Sequence, residues 1–464
     1  MTPDGILIKS FPFPQSLYSL AVSSLDESGA SLLDSSDTLS PLGHYSFFGR
    51  APFATFSSDG HADPLATLKK ALALFSAPRQ LSPLPFTGGA IGSFSYDLGR
   101  RLERLPEKAR PLLGFPDVHL CFYDAIAVYD HAEAMLHLCA SDPRTEGMAA
   151  LQKKMDGLEA WAEAAAKESA PESETGAPLG KNLCSNFTRS AYCRAVEQVQ
   201  EHIVAGDIYQ ANLSQAFSFD LNCTPEALYA HLRARTPAPF SAFINYGGRV
   251  IASCSPERFL QLRNGLAETR PIKGTRPRGK DAAEDAAHRH ELFASRKDRA
   301  ELTMIVDLER NDLGRVAEYG SVVVAEPPAL ESYADVHHLA ATVRARLKPG
   351  CGAVDLLRAS FPGGSITGAP KIRAMEIIES LEPTRRSLYT GALGYIGFNG
   401  DMDLNIVIRT VLCEGTRAVF QAGGGIVADS DPELEYEETL HKVRGILRVI
   451  HGTGEEALHG GRMA

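Results

Sequence analysis

The stretch from Lys167 to Lys181, KESAPESETGAPLGK, constrains the fold more than any other feature of the chain. Its Ser, Glu, Pro, Ala and Gly residues bring too little apolar surface to offset the entropy of ordering, so it reads as a linker. The 464 residues then divide into an amino-terminal region, 1–166, the linker, 167–181, a larger domain, 182–455, and a tail, 456–464. A chain of this length is expected to form one large or two fused domains.

Strand and helix patterns alternate on both sides of that break. Gly147 to Ala166 is rich in Ala, Glu, Leu and Lys and should be helical, with the only tryptophan, Trp161, packed on its inner face. Gly89 to Tyr96 (GAIGSFSY) and Val118 to Tyr129 (VHLCFYDAIAVY) have the composition of strands with short turns. Tyr192, Val196, Val199 and Ile203 form a helical stripe that stops at Gly206. The run Ile208 to Phe217 alternates and sets Gln210, Asn212 and Ser214 on one face, either towards solvent or along a polar pocket. A short echo, Gly88 to Gly92 against Thr390 to Gly394, suggests comparable strands in two facing halves.

Bulk properties exclude several functions. A net charge of −10 opposes nucleic-acid or acidic-membrane partners, which need a broad basic face. Hydrophobic residues at 44% and charged residues at 22% suit a globular protein with a large core. The eight cysteines contain no CxxC pair, as expected for reduced thiols in a cytoplasmic protein. The start, MTPDGILIKSFPFPQ, lacks the pattern of a signal peptide, and no apolar run is long enough for a membrane span.

Five clusters can carry chemistry. In the first, Ser255-Pro256-Glu257 precedes PIKGTRPRG, where five cations fall between Arg270 and Lys280. This is either a solvated basic loop or a site in which flanking arginines depress the pKa of Lys273 by like-charge repulsion. The second reading matters because only about one lysine in 2,500 is neutral at pH 7 without such help. The second and third clusters are helical. Asp298, Glu301 and Ile305 share one face, and Glu435, Glu438 and Lys442 another. Acidic helix faces are commonly just solvated, yet two of them together can hold a hard cation such as Mg²⁺, which takes one or two protein carboxylates.

The fourth cluster, FPGGSITGAPK from Phe361 to Lys371, is a glycine-rich loop opening a helix, a pattern that offers backbone N–H groups to an anion. It differs from a nucleotide-binding Walker A loop because Ala-Pro-Lys follows Gly368 where Lys-Ser/Thr would be needed. The fifth is Gly423-Gly424-Gly425, following an apolar strand that carries Arg409, an arginine suited to a carboxylate. Together these describe a site for a small polyanion with Mg²⁺.

With all five clusters in this order, the sequence resembles the chorismate-utilising enzymes, a family that includes anthranilate synthase component I, aminodeoxychorismate synthase component I and the isochorismate and salicylate synthases. The resemblance spans roughly residues 185 to 450 and includes DIYQANLSQ, SPERF, PIKGTRPRG, DRAELTMIVDLERNDLGRV, FPGGSITGAPKIRAMEIIE, GALGYIGFNGDMDLNIVIRT and AGGGIVADSDPELEYEETLHK. FTGGAIGSFSYDLGRRLE is similar to the amino-terminal part of the two aminating subgroups. The resemblance implies an α/β (α+β) fold, a large two-sheet sandwich flanked by helices. It also implies Glu301 and Glu438 as Mg²⁺ ligands, with Asp298 and Glu435 one helical turn away. Arg409, Tyr389 and the Gly425 N–H would hold the enolpyruvyl carboxylate, and Lys442 would neutralise further charge. His338 and Ser365 would line the ring with Gly274, Thr275 and Gly424 nearby, and Glu257 would protonate the departing 4-hydroxyl.

Within the family, two positions decide the expected product. Isochorismate- and salicylate-forming members carry a lysine base where this chain has Gln210, which disfavours attack by water. Anthranilate synthases typically read PIAGT where this chain reads PIKGT, and Lys273 resembles the pattern of enzymes that aminate chorismate at C4. The expected activity is therefore formation of 4-amino-4-deoxychorismate for 4-aminobenzoate and folate synthesis, with anthranilate formation as the alternative. A more distant alternative is an inactive chorismate-binding regulatory protein. No Cys-His-Glu amidotransferase module accompanies the domain, so ammonia is expected from a separate glutamine amidotransferase subunit. The segment SLLDSS, around Leu33, resembles the LLES-type inhibitor motif of anthranilate synthases with Asp in place of Glu, and a structural role is expected for it.

Overall fold

The computed structural model describes residues 5–58, 62–75, 82–168, 177–332 and 336–452. Residues 169–176 of the expected linker and the tail 456–464 lie outside the described residues. The described residues form two antiparallel sheets, one of twelve strands and one of ten. In the larger, the strands run in space Ile6–Pro12, Met135–Ser141, Ala125–Asp130, Tyr45–Gly49, Ser31–Asp34, Phe240–Asn245, Arg249–Ser255, Thr410–Glu414, Arg417–Ile426, Gln210–Leu221 and Gly368–Ala369, with Gly180–Ser185 also on Gln210–Leu221. In the smaller they run Ile272–Pro277, Val336–Arg346, Leu266–Thr269, Arg258–Arg263, Met402–Ile406, Ala392–Gly397, Gly89–Phe94, Val118–Tyr123 and Ala54–Ser57, with Val323–Ser332 also on Val336–Arg346.

Strands from either side of residue 167 pair directly in both sheets. Ser31–Asp34 lies against Phe240–Asn245, and Gly89–Phe94 against Ala392–Gly397. The two echoed sequences are thus neighbours, with Gly394 opposite Gly92.

Period-two alternation builds the layers. Cys121 and Tyr123 enter a core between the sheets with Phe47, Ile126, Val128 and Tyr395, whereas Leu120 and Phe122 point to the outer face of the ten-stranded sheet. Helices Pro64–Ala73, Arg296–Gly314 and Ala353–Ser360 cover that face. Leu17–Ala21, Met148–Ala165, Pro225–Arg235 and Arg444–His451 cover the other sheet. Each buried Phe or Leu in these layers contributes about 1.5–3 kcal/mol. Trp161 packs as expected, stacked on Phe48 at 5.1 Å with its indole N–H donated to Ser24 at 3.1 Å.

Local signals start the elements that matter for the site. Ser295 caps Arg296–Gly314 by accepting from the Asp298 amide at 3.2 Å. Asp431 caps Pro432–Lys442 by accepting from the Glu433 and Leu434 amides, with Pro432 in the first turn. All eight cysteines are free thiols. Among the described residues, no helix is long and apolar enough to cross a membrane.

Candidate active site

Lys273 lies on the strand Ile272–Pro277, whose register against Val336–Arg346 shifts between Lys273 and Thr275. Gly274 makes that shift at φ 71°, where a Cβ would strike Leu292 at 2.8 Å and the Asp298 carboxyl carbon at 2.9 Å. The lysine amine arrives beside Gly425. A Cβ on Gly425 would lie 3.2 Å from Lys273 Nζ and 2.3 Å from Gln210 Nε2, so the bare backbone there leaves the space that amine and amide share.

The pKa of Lys273 is depressed, as expected, but for a different reason. Burial is the largest cause, reinforced by Lys442 and opposed by Glu301, Glu257 and Glu438. The flanking arginines are engaged elsewhere. Arg270 pairs with Glu331, Arg276 with Glu291 and Asp298, and Arg278 with Asp285. Desolvation of the amine therefore replaces the like-charge repulsion read from the sequence.

Glu257 follows the strand Arg249–Ser255 and is buried. Burial raises its pKa, against the lowering effects of the Ser365 hydroxyl, Lys273, the Ile272 amide and Lys442. Ser365 donates to Glu257 Oε1 at 2.8 Å. A carboxyl held towards its protonated form is suited to donate a proton.

Two helices bring the acidic residues together. Glu301 is half-buried on Arg296–Gly314, and Glu438 is open to solvent on Pro432–Lys442. Burial raises the pKa of Glu301 and of Glu435, and Glu438 adds to both shifts, as nearby carboxylates do. A Cβ on Gly424 would lie 3.0 Å from Glu435 Oε2 and 3.5 Å from Glu438 Oε1. Glu435 accepts from the Ser430 hydroxyl at 2.6 Å, and Asp298 pairs with Arg276 at 3.3 Å. Lys442 pairs with Glu438 at 2.6 Å and donates to the Gly423 carbonyl at 2.9 Å. Among the described residues, no three His, Cys, Asp or Glu side chains close on one point. An open pair of carboxylates with all-oxygen chemistry fits Mg²⁺, which keeps coordination positions for water and substrate oxygens.

The remaining expected residues lie on Val336–Arg346, before Ala392–Gly397 and between Met402–Ile406 and Thr410–Glu414. Burial lowers the pKa of His338 to about 4, helped by the nearby positive charge of Arg409, so its ring is neutral at pH 7. Its Nδ1 lies 2.9 Å from the Thr275 hydroxyl and 3.4 Å from the Gly274 carbonyl. Tyr389 is buried, with the Arg386 guanidinium 5.8 Å from its ring centre. Arg409 is not in a strand as expected. Met402–Ile406 ends before it, Thr410–Glu414 begins after it, and Arg409 turns the connection at φ 49°.

The glycine-rich loop also departs from its expected role. The Gly364 N–H is already donated to Glu309 at 3.0 Å, and Lys371 is tied to Asp312 at 2.6 Å. The loop serves the pocket through the Ser365 hydroxyl rather than through free amides.

Lys297, Arg386 and Glu382 escaped the sequence reading, whereas Gln210 was an expected substrate contact. Gln210 Oε1 is buried without a hydrogen-bond partner, and on the same strand face the Asn212 side chain bonds to the Tyr389 hydroxyl. Their place in the polar row was the available signal, and the structure turns that row inwards. Lys297 adds positive charge against Glu301, Glu435 and Glu438. Arg386 and Glu382 form a buried ion pair at 2.7 Å that accepts from the Ser214 amide and hydroxyl and donates to the Ile366 carbonyl.

A separate cavity of about 250 Å³ lies at the SLLDSS segment, lined by Leu33, Asp34, Tyr45, Phe47, Arg258 and Tyr395 among others, and shares no lining residue with the groups above. Asp34 is held by Arg233 at 2.6 Å and by the Tyr229 hydroxyl at 3.1 Å, which gives this segment a structural task.

Comparison with known proteins identifies the family. The model of the chorismate binding enzyme family matches residues 30–448. The chain is 46% identical over 394 residues to aminodeoxychorismate synthase component 1 of Klebsiella aerogenes, covering 85% of this chain and 84% of that one. It is 39% identical over 456 residues to anthranilate synthase component 1 of Geobacillus stearothermophilus, covering 92% and 90%. The crystal structure of anthranilate synthase component I from Streptococcus pneumoniae TIGR4 superposes with a TM-score of 0.78 at 33% identity, covering 86% of this chain and 91% of that one. With a family match over nearly its whole length and two-thirds or more of each relative covered, the chain belongs to the chorismate-binding enzymes.

Proposed function

We propose that this chain aminates chorismate at C4 to give 4-amino-4-deoxychorismate, with Lys273 as nucleophile and Glu257 as general acid. The observation that carries this reading is the buried Lys273 amine, depressed in pKa and set beside Gly425 and Gln210. The neutral amine adds to C2, the ring π electrons shift towards C4, and the C4–O bond breaks. Glu257 gives its proton to the departing oxygen, which leaves as water. Ammonia then attacks C4, the electrons return, and the C2–N bond breaks to release the Lys273 amine. Glu257 recovers its proton from solvent.

Arg409 and Tyr389 are proposed to hold the enolpyruvyl carboxylate, and His338, Ser365 and Thr275 to bound the ring. The unpartnered Gln210 Oε1 stands ready for substrate or ammonia. Mg²⁺ held by Glu301 and Glu438 would orient and neutralise the ring carboxylate. The relatives' "component 1" names support a two-component enzyme, so ammonia is proposed to come from a glutamine amidotransferase partner. Free thiols throughout suit the reducing cytoplasm proposed for the reaction.

The test is to incubate the purified chain with chorismate, Mg²⁺ and ammonium at mildly alkaline pH. A product that an added lyase converts to 4-aminobenzoate is expected. Fluorescent anthranilate would support the second reading, anthranilate formation, which the 39% identity to an anthranilate synthase component keeps in view. The metal assignment has its own test. Glu438→Gln is expected to raise the Mg²⁺ concentration for half-maximal activity roughly 10- to 100-fold. An unchanged Mg²⁺ titration would remove Glu438 from the metal site.

A further inference from the structure

Behind the pocket lies a buried acidic cluster that the proposed reaction does not use. Glu309 and Asp312 sit nearly one turn apart on Arg296–Gly314, the same helix that carries Glu301 towards the pocket mouth. Both are almost fully buried, at 2% and 3% exposure. Burying two carboxylates is costly unless each is matched by defined partners, and here the partners converge on a single loop.

Glu309 Oε1 accepts from the Gly364 amide at 3.0 Å, and Oε2 faces the Thr269 hydroxyl at 3.4 Å. Asp312 takes the Lys371 ammonium at 2.6 Å, and that ammonium also donates to the Ser360 carbonyl at 2.8 Å. Ser360 and Lys371 bracket the loop, so the Asp312–Lys371 pair closes its two ends while Glu309 grips its middle. The grip leaves no slack. A Cβ on Gly364 would lie 2.7 Å from Leu308 Cδ2 and 3.0 Å from Glu309 Oε1. The next residue is Ser365, whose hydroxyl donates to Glu257 at 2.8 Å.

We infer that Glu309 is a positioning residue for the general acid: by fixing the Gly364 amide it holds the Ser365 hydroxyl on the Glu257 carboxyl. The inference rests on the reading of Glu257 as the acid that protonates the departing 4-hydroxyl. Glu309 itself is pushed up to about 7, mainly by burial and by Asp312, against the pull of Lys371 and the Gly364 amide. A glutamine reproduces its shape and keeps an oxygen for the Gly364 N–H. Alanine removes the acceptor and leaves that amide buried without a partner. Since one helix carries both Glu301 and Glu309, it also sets the distance between the proposed metal site and the acid.

The experiment compares Glu309→Ala and Glu309→Gln in the full chain, following chorismate consumption with saturating Mg²⁺ and ammonium. Hydrogen exchange of the segment containing Gly364 and Ser365 is measured in parallel. The alanine variant should lose roughly 10- to 100-fold in kcat, keep KM for chorismate within about twofold, and exchange faster in that segment. The glutamine variant should stay within about threefold of the parent in kcat. A folded alanine variant with parental kcat would overturn the inference, as would an equal fall for both variants or a loss confined to KM. If the alanine variant fails to fold, the glutamine variant decides, because loss of kcat there contradicts the positioning role and parental kcat with slow exchange supports it. Consumption is counted whatever the product. A parent enzyme that makes anthranilate would thus refute C4 amination while leaving the Glu309 result readable, since both routes expel the 4-hydroxyl.

Discussion

Lys273→Ala is expected to lower formation of 4-amino-4-deoxychorismate by at least on the order of 10³-fold. The reasoning starts from reactivity. An ordinary lysine is almost entirely protonated at pH 7 and has no lone pair to offer. Here burial lowers the Lys273 pKa and so enlarges the neutral fraction relative to an exposed lysine, and the bare Gly425 leaves space beside the amine. Without the amine, no first adduct forms at C2 and C4 does not become the site of attack. Ammonia reaching the emptied space at C2 would instead give anthranilate. Product analysis by mass and fluorescence, with glutamine replaced by ammonium, separates loss from diversion. Retention of full C4 amination in the variant would remove the covalent role of Lys273. Lys273→Arg is no rescue, because the guanidinium stays charged and is not a nucleophile.

Much of this site was legible in the sequence because its signals are local. The cap residues Ser295 and Asp431, followed by carboxylates at helical spacing, place Glu301 and Glu438 on their helices without tertiary information. The alternation around Gln210 likewise marked a strand with one polar face. Its direction was not legible, because a polar row fits solvent and a pocket equally, and only packing against Glu382 and Arg386 turns it inwards. The interlocking of the two halves was equally hidden. The pairing of Ser31–Asp34 with Phe240–Asn245 joins residues some two hundred positions apart, and a strand edge carries no local record of its partner.

The same limit explains two errors of cause. The arginines around Lys273 look repulsive until their distant acidic partners are known. Glu331, which neutralises Arg270, is 61 residues away. Arg409 looked like part of a strand because its neighbours are apolar, yet the backbone turns there at positive φ. Glu309 and Asp312 carry no local sign of burial, and only the fold sets them against the loop bearing Ser365.

Glu257→Gln is expected to lower kcat/KM roughly 10²- to 10⁴-fold and to abolish the alkaline limb of its pH profile. Gln keeps an oxygen to accept from Ser365, so the change removes the proton with little else. In the parent, the proton donor must be protonated and the Lys273 amine must be neutral. Burial raises the pKa of Glu257, so its protonated form persists to higher pH than an exposed carboxyl and is lost as pH rises through that raised value. Burial lowers the pKa of Lys273, so its neutral fraction grows as pH rises through that lowered value. The product of the two fractions is bell-shaped. In either order of the two pKa values, deleting the Glu257 proton leaves only the rising dependence on the free amine. The profile must be recorded at constant free ammonia, because ammonium also deprotonates over this range, and at saturating Mg²⁺. A residual profile that rises and then levels off assigns the falling limb to Glu257. A Glu257→Gln enzyme that still falls at alkaline pH, or that retains kcat/KM within about twofold, would require another proton donor. His338 cannot readily fill that place, since burial holds its pKa at about 4 and its ring carries no surplus proton to give over this range.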